Sequence, residues 1–151
     1  METQLTKNFT LGELTNSITA KKLGIKNIPN EKEYDNLKYL AEKVLQPLRD
    51  HFNSPINITV AFRCKKLNDA VGGSKTSFHV QAAAADIDND NMKVSNKEIF
   101  EYIKDNLDFT ELINEFNYSW IHVGILKGRE KEKEVLEAKK VKGKTVYLLV
   151  K

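Results

Sequence analysis

With 151 residues, 40% of them hydrophobic and 30% charged, the chain can bury one ordinary core and is too short for several domains, so a single domain spanning 1–151 is expected. No run approaches the roughly 18 apolar residues of a membrane span, and the amino terminus lacks the apolar stretch of a secretory signal, which points to synthesis in a cytoplasm without export by that route. The single cysteine, Cys64, excludes an internal disulfide and a cysteine-rich metal cluster. The net charge of +3 is uneven: residues 127–151 hold nine Lys/Arg against four Glu, leaving 15 against 17 acidic residues before them. That basic end reads as a solvated face, with attraction to an anionic polymer as the functional alternative.

In chain order, Thr10-Leu11-Gly12-Glu13 has the form of a capping box and predicts a short helix. Lys21 to Ile25 closes another local turn, and Asn30, with Glu33 three residues on, caps a longer helix. Leu37, Leu40, Ala41, Val44, Leu48 and Phe52 recur on its one apolar face, and Pro47 is expected to kink its last turns. After Ser54-Pro55 the period changes to two: Ile56, Ile58, Val60 and Phe62 alternate with Asn57, Thr59, Ala61 and Arg63, which predicts a strand. Lys65 to Val71 reads as a short helix closed by Gly72-Gly73. Ser95-Asn96-Lys97-Glu98 is a further capping box, opening a helix with Ile99, Ile103 and Leu107 inward. In residues 109–116, Phe109, Leu112, Ile113 and Phe116 fit helical spacing. Beyond Leu126 a charged helix around 129–140 and a final strand at Val146–Val150 are expected, giving an α+β domain with a central antiparallel sheet flanked by helices.

Between these elements lies Ser77-Phe78-His79, six intervening residues and Asp86. In Ala84-Ala85-Asp86-Ile87-Asp88 alternate side chains share a face, so a loop would deliver His79 and a strand would deliver Asp86. In Trp120-Ile121-His122-Val123-Gly124-Ile125 the apolar residues alternate with His122, which therefore points away from the core side of its strand. Two imidazoles and a carboxylate make a sufficient protein ligand set for a catalytic zinc with an open position, although the same donors also suit manganese, iron or cobalt. A buried histidine paired with an acid in a structural core is the plainer reading of such residues.

Ser-x-His-x6-Asp with a distant Trp-Ile-His resembles the zinc signature of the D-Ala-D-Ala metallocarboxypeptidases, a family that includes phage endolysins and bacterial dipeptidases and is related to the Hedgehog signalling domain. Phe62-Arg63, Leu67-Asn68-x-Ala70-Val71-Gly72-Gly73-Ser74-x-x-Ser77 and Phe9-Thr10-Leu11-x-Glu13-Leu14 extend the likeness to short, phage- or prophage-associated members, over nearly the whole chain. The resemblance implies one zinc ion held by His79, Asp86 and His122. It implies a strand at 109–116 before the His122 strand, and hydrolysis of a peptidoglycan stem-peptide amide by activated water. Arg63 would hold a substrate carboxylate or carbonyl, against the plainer reading as a surface arginine. Ser77 would bind substrate or brace its loop, and Trp120 would wall the cleft or fill the core.

Three departures from the family pattern stand out. The superfamily's acidic residue three positions before the last ligand is replaced by Ser119; the resemblance to short phage-type members at Glu115-Phe116 implies Glu115, seven before His122, as the proton shuttle, against the plainer reading as a solvent-facing glutamate. Ala82 stands where the family usually has glycine, and would be strained by roughly 1 kcal/mol if φ there is positive. Ala83 stands where many members have a polar residue. The implied partner is the stem peptide, with no nucleic acid or membrane and a monomeric chain. The implied setting is an endolysin released to the wall through a holin, or a virion-associated lysin. A non-catalytic zinc or peptidoglycan-binding module, and a structural protein of a phage particle, are the alternatives from other classes.

Overall fold

The computed structural model describes residues 2–150. Helix α1 (Leu11–Thr15) starts where Thr10 Oγ1 accepts the Glu13 N–H at 3.2 Å, and α2 (Ile18–Leu23) ends at Gly24, whose φ of 67° a residue without Cβ adopts freely. Asn30 and Glu33 form a reciprocal capping box that opens α3 (Glu31–Leu40). The helical path runs on through a wide turn at Ala41–Leu45 into α4 (Gln46–Phe52), with the Gln46 N–H reaching back to Ala41. Pro47 has no N–H to donate, and the loosened ladder sits immediately before it. The apolar stripe expected there is the buried face: Leu37, Leu40, Ala41, Val44 and Leu48 are all at 0% exposure.

Strand β1 (Ile58–Val60) is short, α5 (Lys65–Ala70) follows it, and β2 (Ala84–Ile87) emerges from the loop carrying His79. Helix α6 (Asn96–Asn106) opens with the Ser95–Glu98 capping box and buries Ile99, Phe100 and Ile103. Strands β3 (Glu111–Glu115) and β4 (Trp120–Gly124) form a hairpin, followed by a second hairpin of β5 (Glu134–Val141) and β6 (Lys144–Leu149). The six strands lie in the order β1-β2-β4-β3-β5-β6.

The α+β class and the strand at 109–116 are as the sequence led one to expect, while the sheet is mixed because β5 runs parallel to β3. The charged helix expected around 129–140 is instead strand β5. Gly128 at φ 90° and Lys133 at φ 49° interrupt a helical path, and the segment has no apolar helical stripe to bury. As a strand it buries Val135 and Ala138 and pairs its backbone with β3 and β6.

The sheet has two unlike faces. Ala85, Ile87, Leu112, Ile121, Val123 and Val135 join the α3, α4 and α6 side chains in one apolar cluster. Asp86, Glu111, Ile113, Glu115, Trp120 and His122 line the other face, where they form the floor of an open cleft. No helix among the described residues is long and apolar enough to cross a membrane.

Candidate active site

Register builds the site. Asp86 of β2 is directly opposite His122 of β4, which is directly opposite Ile113 of β3, so Asp86 and His122 share one row of the sheet. The loop before β2 carries His79 over that row. Its Ser77 Oγ accepts the His79 N–H at 3.1 Å, and the Arg63 N–H bonds the His79 carbonyl at 3.2 Å. His79 Nε2 lies 3.2 Å and His122 Nδ1 3.1 Å from the same oxygen, Asp86 Oδ1. One ligand atom from each of the three residues lies within 4.8 Å of the others.

The bonds behind these atoms decide what the centre can hold. His79 Nδ1 lies 2.7 Å from the Ala61 carbonyl, which can only accept, so Nδ1 carries the proton and a neutral ring turns the Nε2 lone pair towards Asp86. His122 Nε2 lies 2.6 Å from Glu111 Oε2, which assigns that proton outward and leaves the Nδ1 lone pair facing Asp86 when the ring is neutral. With both rings neutral, two lone pairs and a carboxylate oxygen converge on one point. A cation fits such a donor set, and the outer hydrogen bonds are those that orient histidine ligands.

The charges of the centre follow from the same contacts. Burial works against ionisation of Asp86, but hydrogen bonds from His122 and His79 hold it well below the usual carboxylate range. Burial likewise lowers the His122 pKa, and the bonds to Asp86 and Glu111 overcome this to push it up to about 9. A divalent cation placed at the convergence would compete with that proton.

Glu115 is on the same face of β3 as Glu111 and Ile113, opposite Trp120. Burial pushes its carboxyl up to about 7, opposed by the charge on His122 and reinforced by those of Asp86 and Glu111. Among the described residues no protein group donates a hydrogen bond to it. Ser119, by contrast, spends its hydroxyl on the Phe116 carbonyl at 2.7 Å within the turn between β3 and β4. That turn places Phe116, Asn117 and Tyr118 in succession at φ of 53°, 56° and 63°, a left-handed path that side chains rarely take.

Arg63 does not lie on the outer surface. It lines the cleft with Nη2 3.4 Å from Ser77 Oγ, and its Nε is buried without a partner among the described residues. Burial lowers its pKa and the charge of Asp86 raises it. Ser77 therefore braces the loop and contacts Arg63 while lining the cleft. Trp120 is half-buried against Phe116, ring centroids 5.4 Å apart, at the cleft wall.

The geometry brings Arg63, Ser77, His79, Asp86, Glu115, Trp120 and His122 together in a cleft of about 630 Å³, and leaves Ser119, Ala82 and Ala83 outside its lining. It adds Glu111, Phe78, Lys140, Thr145 and Tyr147, which motif spacing did not reveal. In Glu111-Leu112-Ile113-Asn114-Glu115 polar and apolar residues do not alternate cleanly, so no local pattern singled out Glu111.

Ala82 is fully buried at φ 58°, in the left-handed region, so this is a position where the glycine of the family pattern has a backbone reason. The model of one protein family, described as Peptidase M15, matches residues 7–124. No curated protein matches the chain.

Proposed function

The chain belongs to the peptidase M15 family, and on that premise we propose that it is a zinc-dependent peptidase that hydrolyses an amide of the peptidoglycan stem peptide. The observation that carries this reading is the convergence of His79 Nε2, Asp86 Oδ1 and His122 Nδ1, with both imidazole lone pairs aimed inward by bonds to the Ala61 carbonyl and Glu111. Those three atoms would hold the ion. The chemistry such an ion supplies is Lewis-acid activation of water and of the scissile carbonyl.

The remaining work falls to protein side chains. Glu115 takes a proton from the attacking water and returns it to the leaving amine, a role suited by a carboxyl pushed up to about 7 on the cleft floor. Arg63, braced by Ser77 at the cleft wall, offers its guanidinium to a carbonyl or carboxylate of the substrate. Trp120 flanks the bound peptide. An endolysin or virion-associated lysin, reaching the wall after release from the cytoplasm, is the setting we propose for this activity.

A second reading, a wall-binding module that keeps the metal and lacks turnover, draws on Ser119 at the position where relatives of this superfamily carry an acid. Digestion of purified peptidoglycan by the zinc-loaded protein, with products identified by mass spectrometry, separates the two. New amines from the wild type, lost in both His79→Ala and Glu115→Ala, are the expected result. Zinc-loaded protein that binds muropeptides and releases no amine across several wall types would replace the peptidase with the module.

A further inference from the structure

The residues matched by the family end at 124, yet the cleft does not. Its far wall is the β5–β6 hairpin, which contributes Lys140, Thr145 and Tyr147. Register explains why these three face the metal side. Ala138 of β5 is opposite Glu115 and Tyr147 is opposite Ala138, so Trp120, Glu115, Ala138 and Tyr147 form one row on the cleft face. Lys140 and Thr145 form the next paired position outward.

The Tyr147 phenol is raised by partial burial and then by the charges of Glu115, Glu111 and Asp86, which agrees with a ring leaning over the acidic floor. Lys140 donates to Thr145 Oγ1 at 2.9 Å and sits 5.5 Å from the Phe116 ring centroid. It makes no ion pair among the described residues, whereas its neighbour Lys139, on the opposite face, pairs with Glu137 at 3.2 Å. A cation is thus held in the cleft wall by a hydroxyl and an aromatic face, with its charge free for a ligand.

Arg63 and Lys140 flank His79, Asp86 and His122 from opposite sides, Arg63 beyond β1 and Lys140 on β5. From the His122 row, Lys140 is two strands across and four residues along, on the order of 16 Å between Cα atoms at ordinary strand spacing and rise. An extended peptide covers such a span in about five residues.

We propose that the hairpin is a substrate subsite: Lys140, positioned by Thr145, binds a carboxylate of a peptide that extends several residues beyond the scissile amide, with Tyr147 packed against the peptide between them. The proposal rests on the peptidase reading above for its substrate class. It goes further in making the enzyme select a long, anionic peptide over a terminal dipeptide, and in placing that choice outside the matched residues.

The test uses a synthetic stem pentapeptide with all carboxylates free and versions amidated singly at each carboxylate. Each is assayed for cleavage and titrated calorimetrically against zinc-loaded wild type, Lys140→Met and Lys140→Arg. One amide should weaken binding and kcat/KM of the wild type about fivefold through KM, the scale of a partly exposed charge pair. Lys140→Met should erase that discrimination and Lys140→Arg should restore it. Discrimination that survives unchanged in Lys140→Met overturns the subsite while leaving the peptidase intact. If the wild type cleaves none of these peptides, the titrations decide: carboxylate-selective binding that depends on Lys140 upholds the subsite, the peptidase reading resting on the wall digestion above, and binding indifferent to every amide removes the subsite.

Discussion

Glu111 Oε2 lies 2.6 Å from His122 Nε2, on the side of the ring away from Asp86. A carboxylate there fixes which nitrogen carries the proton and which faces the ligand set, and such partners typically alter metal affinity by about 10- to 100-fold. Glu111→Ala should therefore weaken zinc binding by about tenfold or more in competition with a chromophoric chelator. Glu111→Gln, whose amide oxygen can still accept from Nε2, should recover much of the loss. Nitrogen chemical shifts of His122 in the zinc-loaded protein would report the tautomer directly. Unchanged affinity in Glu111→Ala would mean that β4 alone orients the ring.

The same convergence predicts how metal removal acts on the fold. Lone pairs and carboxylate held within 4.8 Å of one another gain from a cation, and an ion that binds only the folded state stabilises it by mass action. Zinc at about 100 times its dissociation constant should add roughly 2.7 kcal/mol to unfolding stability, and chelator should withdraw the same amount. The shift should vanish in His79→Ala. A stabilisation by zinc that persisted in that variant would place the ion elsewhere.

Much of this site was legible before any coordinates. His79, Asp86 and His122 stand out because strand periodicity puts ligand-type side chains on the face opposite Ile87, Ile121 and Val123, and hydrophobic alternation is a local property. What could not be read was decided by pairing between distant strands. Glu111 gains its role only when β3 lies beside β4 in a register that sets Glu111 against Gly124 and Ile113 against His122. The helix expected around 129–140 gives way to a strand from 134 on, because this charge-rich stretch carries no strong apolar period of either kind. Pairing with β3 on one side and β6 on the other supplies the backbone hydrogen bonds that make it a strand. Ala82 was recognised as a departure, but the sign of its φ belongs to the tertiary turn.

Glu115 gives a pH-dependent signature that needs no substrate. Its carboxyl is pushed from an ordinary 4.5 to about 7 in the folded chain. Below about 4.5 it is protonated folded and unfolded alike. As pH rises from there through about 7, the unfolded chain releases the proton first, so this group's favourable contribution is lost and the folded state carries the cost of a buried charge. In the metal-free protein, Glu115→Gln should thus be more stable than the wild type at pH 8, by on the order of 2 kcal/mol, relative to the difference at pH 4. Urea unfolding at the two pH values, with chelator present, measures this. A pH-independent difference would show that the carboxylate is well solvated and ill suited to proton transfer near neutrality. In the zinc-loaded enzyme the same variant should lose about 100-fold or more in kcat while retaining its metal.

Two small-residue substitutions test how the loop that carries His79 is held. A Cβ on Gly124 would collide with the Phe78 ring, and Phe78 immediately precedes His79. Gly124→Ala should force the ring and its loop outward, costing roughly 1–3 kcal/mol as overpacking commonly does and weakening zinc binding with it. Ala82 is the converse case, a buried methyl at φ 58° three residues after His79. Glycine there relieves about 1–2 kcal/mol of left-handed strain. It also forfeits about 0.8 kcal/mol of methyl burial and roughly 0.5–1 kcal/mol to added backbone entropy. Ala82→Gly should therefore leave stability within about 1 kcal/mol of wild type. Ala84→Gly, in regular strand β2 and equally buried, has no strain to relieve and should cost more than 1 kcal/mol, by the sum of the same burial and entropy effects. Thermal unfolding of the three variants with and without zinc would check the ordering, and an Ala82→Gly loss as large as that of Ala84→Gly would mean that the left-handed turn is not strained by its methyl.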